Sequence, residues 1–263
     1  MNDRLTVFAD EVELGRTLAG ELVDLVESTV ADGGTFVLGC PGGRTPVSTY
    51  AAMGAEFARR DTDLSRLIIA MMDDYVVRVD DEWRAIPEDA HNSCRRFAHV
   101  EIQAVFNAGV GVGHRIPDEH VWIPNPSDPD EYDRRLADRG GVDFFILASG
   151  AGDGHVAFNP PGSDERSTTR IVELAEQTRR DNLATFPDYE GLDEVPGHGV
   201  TVGVGTIANQ SKRAVMIALG DGKRLAVRRL LDGDAYDPDW PATVYRTMPG
   251  VRLYADAAAA ALS

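Results

Sequence analysis

The stretch VDFFILASGAGDGHVAFN (142–159) carries the pattern from which the fold can be predicted. Residues 142–149 are mostly apolar and rich in aromatic and branched side chains, which indicates a strand buried on both faces. A glycine-rich loop that contains Asp153 and His155 follows this strand directly. In parallel sheets covered by helices, ligands bind beyond the carboxyl ends of the strands. The stretch therefore predicts a layered α/β fold with a site in this loop.

Further buried strands and intervening helices are predicted along the rest of the chain. Apolar runs predict strands at 35–39, 66–72, 213–219 and 251–256. Helical spacing of apolar residues predicts helices at about 10–31, at 45–60 and at 221–233. Thr45 and Pro46 are predicted as the N-cap and the first turn of the second helix.

This alternation indicates one domain over residues 1–263 with a Rossmann-like three-layer α/β/α fold and a mainly parallel central sheet. We interpret the stretches 76–96 and 115–135 as excursions from this domain and not as domain boundaries.

Composition excludes several classes of partner. The 263 residues carry a formal net charge of −17, and such a surface repels nucleic acids and anionic lipids. We find neither a signal peptide nor an apolar run long enough to span a membrane, so we expect a cytoplasmic protein. Only two cysteines occur, Cys40 and Cys94, which fits a reducing compartment. The histidines outside the 150–160 loop lack ligand spacing, so we expect no metal and no other cofactor.

Two segments indicate an anion site. GCPGGRTP (39–46) lies between a predicted strand and a predicted helix, where the backbone N–H groups of Gly42, Gly43, Arg44 and Thr45 can approach a phosphate. Lys223 begins a later helix after a strand and can add a positive charge. An ordinary glycine-rich turn and a surface lysine are the alternatives.

Two further segments indicate acid–base chemistry. In MMDDYV (71–76), Asp73 and Asp74 follow a buried strand, where one carboxylate can act as a base. Asp153 lies two residues before His155, which allows the carboxylate to orient the imidazole. A solvated acidic turn and a structural histidine are the alternatives.

Taken together, these segments and VTVGVGTI (200–207) resemble the glucosamine-6-phosphate deaminase (isomerase) family and its relative, 6-phosphogluconolactonase. The resemblance implies a metal-free reaction on a small-molecule sugar phosphate, in which ring opening, proton transfer from C2 to C1 and loss of ammonia give a ketose phosphate. It implies Asp73 as the C2 base, Asp153 and His155 as the groups that assist ring opening, and Lys223 with the 41–45 loop as the phosphate site. A homo-oligomer is left open.

The chain departs from the family pattern at two positions. Pro160 stands where the deaminases have a Glu, and Ala184 stands where they have an Arg that binds phosphate. Arg44, or else Arg179 or Arg180, is a candidate replacement cation. Three functions stay open: a deaminase, which we favour, a lactonase in which His155 activates water, and a sugar-phosphate sensor without turnover. We expect turnover to survive Pro160.

Overall fold

The computed structural model describes residues 3–261 except for the side chain of Ala184. The interpretation that position 184 lacks a phosphate-binding cation therefore concerns a side chain outside the described part. The described residues form the strands β1 (Leu5–Phe8), β2 (Phe36–Cys40), β3 (Leu67–Met71), β4 (Asp73–Val79), β5 (Glu82–Ala85), β6 (Val121–Trp122), β7 (Phe144–Ala148), β8 (Arg170–Glu173), β9 (His198–Thr201), β10 (Ala214–Ala218) and β11 (Arg252–Asp256). Their α-helices are α1 (Glu11–Ala31), α2 (Val47–Arg60), α3 (Cys94–Phe97), α4 (Ala104–Asn107), α5 (Pro129–Asp138), α6 (Glu176–Thr185), α7 (Val204–Gln210), α8 (Arg224–Leu231) and α9 (Ala257–Ala260).

A seven-stranded sheet forms the centre of the molecule, and each of its strand pairs is parallel. The strand order is β1-β11-β10-β7-β2-β3-β6. Side chains alternate across this sheet, so that Leu38 packs in one hydrophobic cluster with Leu22 of α1, while Val37 packs in another with Leu230 of α8. Two apolar layers therefore separate the sheet from the helices on its two faces, and the predicted three-layer α/β/α fold is confirmed.

A second sheet joins the first at the end of β3. After the single residue Met72, the chain continues as β4, which belongs to an antiparallel sheet of order β5-β4-β9-β8. Asp73 pairs with Thr201 of β9 in this sheet. Asp73, the first of the predicted carboxylates, therefore lies where the end of β3 in the central sheet leads into the second sheet.

The predicted strands agree with β2, β3, β7, β10 and β11, and the predicted helices agree with α1, α2 and α8, whereas β1, β6 and the second sheet were not predicted. The first helix begins at Glu11, where the Asp10 side chain accepts hydrogen bonds from the N–H groups of Val12 and Glu13. The prediction of Thr45 as an N-cap is wrong: α2 begins at Val47 with Pro46 at the N-cap position, and no side chain caps it. The stretch 76–96 contains most of β4 and all of β5. Over residues 3–261 no helix combines the length and the apolar character needed to cross a membrane.

Candidate active site

A cavity of about 580 Å³ lies where the four predicted segments meet. Its wall contains the 41–45 loop after β2, Asp73 at the start of β4, His155 in the loop after β7, and Lys223 in the loop after β10. These loops meet because β2, β7 and β10 are parallel neighbours whose carboxyl ends share one edge of the sheet.

Asp73 is a buried carboxyl group that faces this cavity. Its side chain is 6% exposed, and burial raises the pKa from 3.8 to about 7. The Cys94 thiol, 3.5 Å from Asp73 Oδ1, lowers the pKa, while the charge of Asp74 raises it and that of His155 lowers it. A carboxyl group with a pKa near neutrality can accept a proton from carbon at physiological pH.

Asp74 has a different, structural environment. Its Oδ1 accepts hydrogen bonds from the backbone N–H groups of Tyr75 and Cys94, both at 2.9 Å. Burial raises its pKa to about 6, although these hydrogen bonds act in the opposite direction. Asp74 is absent from the cavity wall and instead anchors the start of α3. The structure therefore separates the two adjacent carboxyl groups, and Asp73, the base that the resemblance implies, is the one that faces the cavity.

The His155 imidazole is fixed from behind by Asp153 and Thr178. Asp153 Oδ1 lies 2.7 Å from His155 Nδ1, and Asp153 Oδ2 accepts a hydrogen bond from Thr178 Oγ1 at 2.8 Å. Burial alone would raise the pKa of Asp153, but the hydrogen bond and the charge of His155 lower it to about 2. Asp153 itself is not part of the cavity wall. It is therefore an ionised carboxylate that orients the ring, and His155 is the group of this pair that faces the cavity.

Two glycines make this arrangement possible. A side chain at Gly150 would place its Cβ 2.2 Å from Asp153 Oδ1 and 2.4 Å from His155 Nδ1. Gly154 has φ +67°, and a Cβ there would lie 2.2 Å from the Trp240 ring. The loop can therefore bring a carboxylate and an imidazole together only with glycine at both positions.

Unpaired backbone donors and two cations lie in the loops after β2 and β10, which also line the cavity. Among the described residues, the N–H groups of Gly42 to Thr45 donate no hydrogen bond to the protein. Arg44 is exposed on the wall and has no ion pair within the described part of the chain. Lys223 Nζ donates to the carbonyl oxygen of Ser149 at 2.5 Å, and burial lowers its pKa. These groups suit a bound anion such as phosphate.

Helix α6 adds Thr178 and Asp181 to the site, which the sequence interpretation missed, and Arg180, which it named as a candidate cation. Thr178 contacts both Asp153 and His155, while Asp181 and Arg180 line the cavity. Arg179 is turned away, because its guanidinium donates to the carbonyl oxygens of Leu192 and Val195. The signal for Thr178 and Asp181 was their spacing of three residues, which places both on one face of a helix.

Pro160 lies outside the cavity wall. Its carbonyl oxygen accepts hydrogen bonds from the backbone N–H of Ser163 at 3.1 Å and from its hydroxyl group at 2.7 Å. The preceding Asn159 is buried, and its amide donates to the carbonyl oxygens of Val156 and Val202. Pro160 therefore belongs to a structural turn behind the loop that carries His155.

Comparisons with known proteins agree with this fold and identify the family. The family model described as glucosamine-6-phosphate isomerases/6-phosphogluconolactonase matches residues 9–252. A glucosamine-6-phosphate deaminase of Beutenbergia cavernae is 35% identical over 226 residues, which cover 85% of this chain and 80% of that protein.

Solved structures of the same family show the same fold. A monomeric glucosamine-6-phosphate deaminase matches with a TM-score of 0.83 at 25% identity, covering 99% of this chain and 100% of that one. The 6-phosphogluconolactonase of Trypanosoma brucei matches with a TM-score of 0.69 at 20% identity over 97% of each chain, which shows the fold alone. The resemblance inferred from the sequence motifs is confirmed: the chain belongs to the family of glucosamine-6-phosphate isomerases and 6-phosphogluconolactonases.

Proposed function

We propose that this chain, as one domain over residues 1–263, is an enzyme that converts an amino-sugar phosphate to a ketose phosphate and ammonia. Glucosamine 6-phosphate is the substrate we expect, since several relatives are named glucosamine-6-phosphate deaminases. The observation that carries the proposal is Asp73, a buried carboxyl group with a pKa of about 7 in the wall of the same cavity as His155.

Ring opening is the first step, and His155 is its proton carrier. The Nε2 atom of His155 accepts the proton of the anomeric hydroxyl and returns it to the ring oxygen as the C1–O5 bond breaks. The Asp153 carboxylate is hydrogen-bonded to the Nδ1 atom of His155, with 2.7 Å between Oδ1 and Nδ1. Nε2 therefore remains available to the substrate.

Proton transfer between C2 and C1 is the second step, and Asp73 is its base. The carboxylate takes the C2 proton, which the new C1 carbonyl makes acidic. The electron pair forms the C1–C2 double bond, and the C1 oxygen takes a proton from the substrate's ammonium group, which leaves an enolamine. The same carboxyl group then delivers a proton to C1, and the resulting C2 imine is hydrolysed. The overall reaction consumes one water and releases one ammonia and one ketose phosphate.

The phosphate is held at the other loops of the cavity. The N–H groups of Gly42, Gly43, Arg44 and Thr45 donate to its oxygens, while Lys223 and the Arg44 guanidinium balance its charge. The family's Arg is absent at position 184, so we assign its charge to Arg44. Arg180 also lines the cavity but forms an ion pair with Glu176 at 2.5 Å, which makes it less available.

A coupled assay for ammonia with glucosamine 6-phosphate tests the proposal. We expect ammonia from the wild type, and a loss of at least about a thousandfold in kcat for Asp73→Asn. Asp74→Asn is the matched control: it changes the adjacent carboxylate, which lies outside the cavity wall, so ammonia release should persist. Unphosphorylated glucosamine should be a much poorer substrate. Equal turnover of the two sugars would contradict the phosphate site.

Lactone hydrolysis is the alternative that the same His155 can support, by activating water with its free Nε2 atom. It requires no carbon base, so Asp73→Asn would be tolerated better than His155→Ala. Hydrolysis of 6-phosphogluconolactone without ammonia from any amino-sugar phosphate would replace the proposed function by this one.

A further inference from the structure

Asp181 is a cavity carboxylate that the mechanism above does not use. One carboxylate oxygen of Asp181, one of Asp153 and a ring nitrogen of His155 all lie within 4.8 Å of one another. Asp181 comes from helix α6, whereas the other two come from the loop after β7. The helix thus brings a second carboxylate to the imidazole.

Helix α6 is attached to the His155 loop at several points. The Gln177 side chain lies 3.4 Å from the position that a Cβ on Gly152 would take, and the Thr178 hydroxyl donates to Asp153 Oδ2. Gln177 Nε2 also donates to Asp181 Oδ1 at 2.9 Å. The Asp181 carboxylate is therefore held on the same helical face that contacts the loop.

The charges around His155 favour carboxylates beside its ring. Lys223 is close enough for the charges of Asp181, Asp153 and Arg44 to affect its pKa. A bound phosphate balances Lys223 and Arg44, but the proton that His155 takes adds a further positive charge to the cavity. Asp153 and Asp181 each have a carboxylate oxygen within 4.8 Å of a ring nitrogen of His155, so both can stabilise this charge.

We propose that Asp181 is a positioning residue for proton transfer by His155, whose carboxylate stabilises the imidazolium formed when Nε2 takes a proton from the substrate hydroxyl. This inference rests on the proposed function. In the step itself, the anomeric O–H bond breaks and an N–H bond forms at Nε2. The electron pair left on that oxygen forms the C1 carbonyl as the C1–O5 bond breaks, and O5 then takes the proton from Nε2. Asp181 exchanges no proton, and Asp153 fixes the ring.

Asp181→Asn tests the inference because it removes the charge and keeps the oxygen that accepts from Gln177. We expect kcat for ammonia release to fall roughly 10- to 100-fold while KM changes less than about threefold. Asp181→Glu should recover most of the loss. The matched control is Asp188→Asn, an equal change of charge at an exposed residue outside the cavity wall, which should leave kcat and KM unchanged.

Three results would overturn the inference. An unchanged kcat in Asp181→Asn removes the role. A raised KM with unchanged kcat means that Asp181 binds the substrate directly, for example through its amino group. Loss of wild-type activity in a chelator, with recovery on adding Zn²⁺ or Mn²⁺, means that Asp153, His155 and Asp181 hold a metal ion instead.

The proposed function can fail separately from this inference. A wild type that hydrolyses 6-phosphogluconolactone and releases no ammonia refutes the deaminase, and the Asp181 variants are then compared on the lactone, where His155 also transfers a proton. Normal ammonia release by Asp181→Asn refutes only the role of Asp181. A wild type inactive on both substrates refutes both.

Discussion

Replacing Asp73 by Asn should make the folded protein more stable while it abolishes activity. Burial raises the pKa of Asp73 from 3.8 to about 7, so the folded state binds this proton more tightly than the unfolded chain does. The contribution of this carboxyl group to the free energy of unfolding is therefore fully present below about pH 3.8 and is lost as the pH rises through 7. At about 1.4 kcal/mol per pKa unit, ionising the buried carboxyl group costs roughly 4 kcal/mol above pH 7. Asn has nearly the same shape and avoids this cost.

Urea unfolding of both proteins at pH 5 and pH 8 measures the effect. We expect Asp73→Asn to exceed the wild type in free energy of unfolding by roughly 2–4 kcal/mol at pH 8, with most of that difference gone at pH 5. Asp153→Asn is the control, for which we expect the opposite change in the free energy of unfolding. Its pKa of about 2 in the folded state means that the ionised form stabilises the protein above pH 3.8, so this variant should lose roughly 2 kcal/mol at pH 8. An Asp73→Asn variant no more stable than the wild type at pH 8 would refute the reasoning.

Three further outcomes are expected. Because Asp73 must be ionised to act as a base, kcat should fall about tenfold per pH unit below pH 7, and a profile flat to pH 5 would contradict its pKa of about 7. Lys223→Ala should raise KM roughly 10- to 100-fold, since a charge-assisted contact to phosphate contributes about 1.5–3 kcal/mol, and initial rates over a range of substrate concentrations measure this. Pro160→Glu should leave ammonia release unchanged or raise it on glucosamine 6-phosphate, and a large loss in the same assay would show that the turn at Pro160 positions the loop.

The sequence pattern predicted five of the seven strands of the central sheet, because four of these five are buried almost throughout. The edge strands were missed, since β1 is only half-buried and β6 has two residues. The run at 213–219 is apolar after Arg213 and forms β10. The second sheet was missed for the opposite reason: β5 and β8 are four-residue strands with exposed polar side chains. The pairing of β4 with β9 joins Asp73 to Thr201, and local periodicity contains no information on contacts so distant in sequence.

The site was predictable where it lies on loops after parallel strands and was missed where a helix approaches it. The glycines around Asp153 and His155 mark that loop in the sequence. Thr178 and Asp181 looked like ordinary polar positions on a surface helix, because only the packing of α6 against the loop shows which face is turned inward. Thr45 resembled an N-cap by residue type, but the helix begins two residues later and the residue lies in the cavity wall.

The single-residue connection at Met72 has a consequence for how the chain folds to its active form. Asp73 takes its place only when the parallel sheet that contains β3 and the antiparallel sheet that contains β4 and β9 have both assembled. The second of these requires closing a chain segment that runs from position 73 to position 201, and the first contains the still longer closure that pairs Leu5 with Leu253. Ordering such distant contacts is slow because of its entropic cost. A chain with only one of the two sheets formed would have no base in place. Recovery of activity during refolding therefore reports completion of both sheets, whereas spectroscopic signals from the helices report only that the helices have formed.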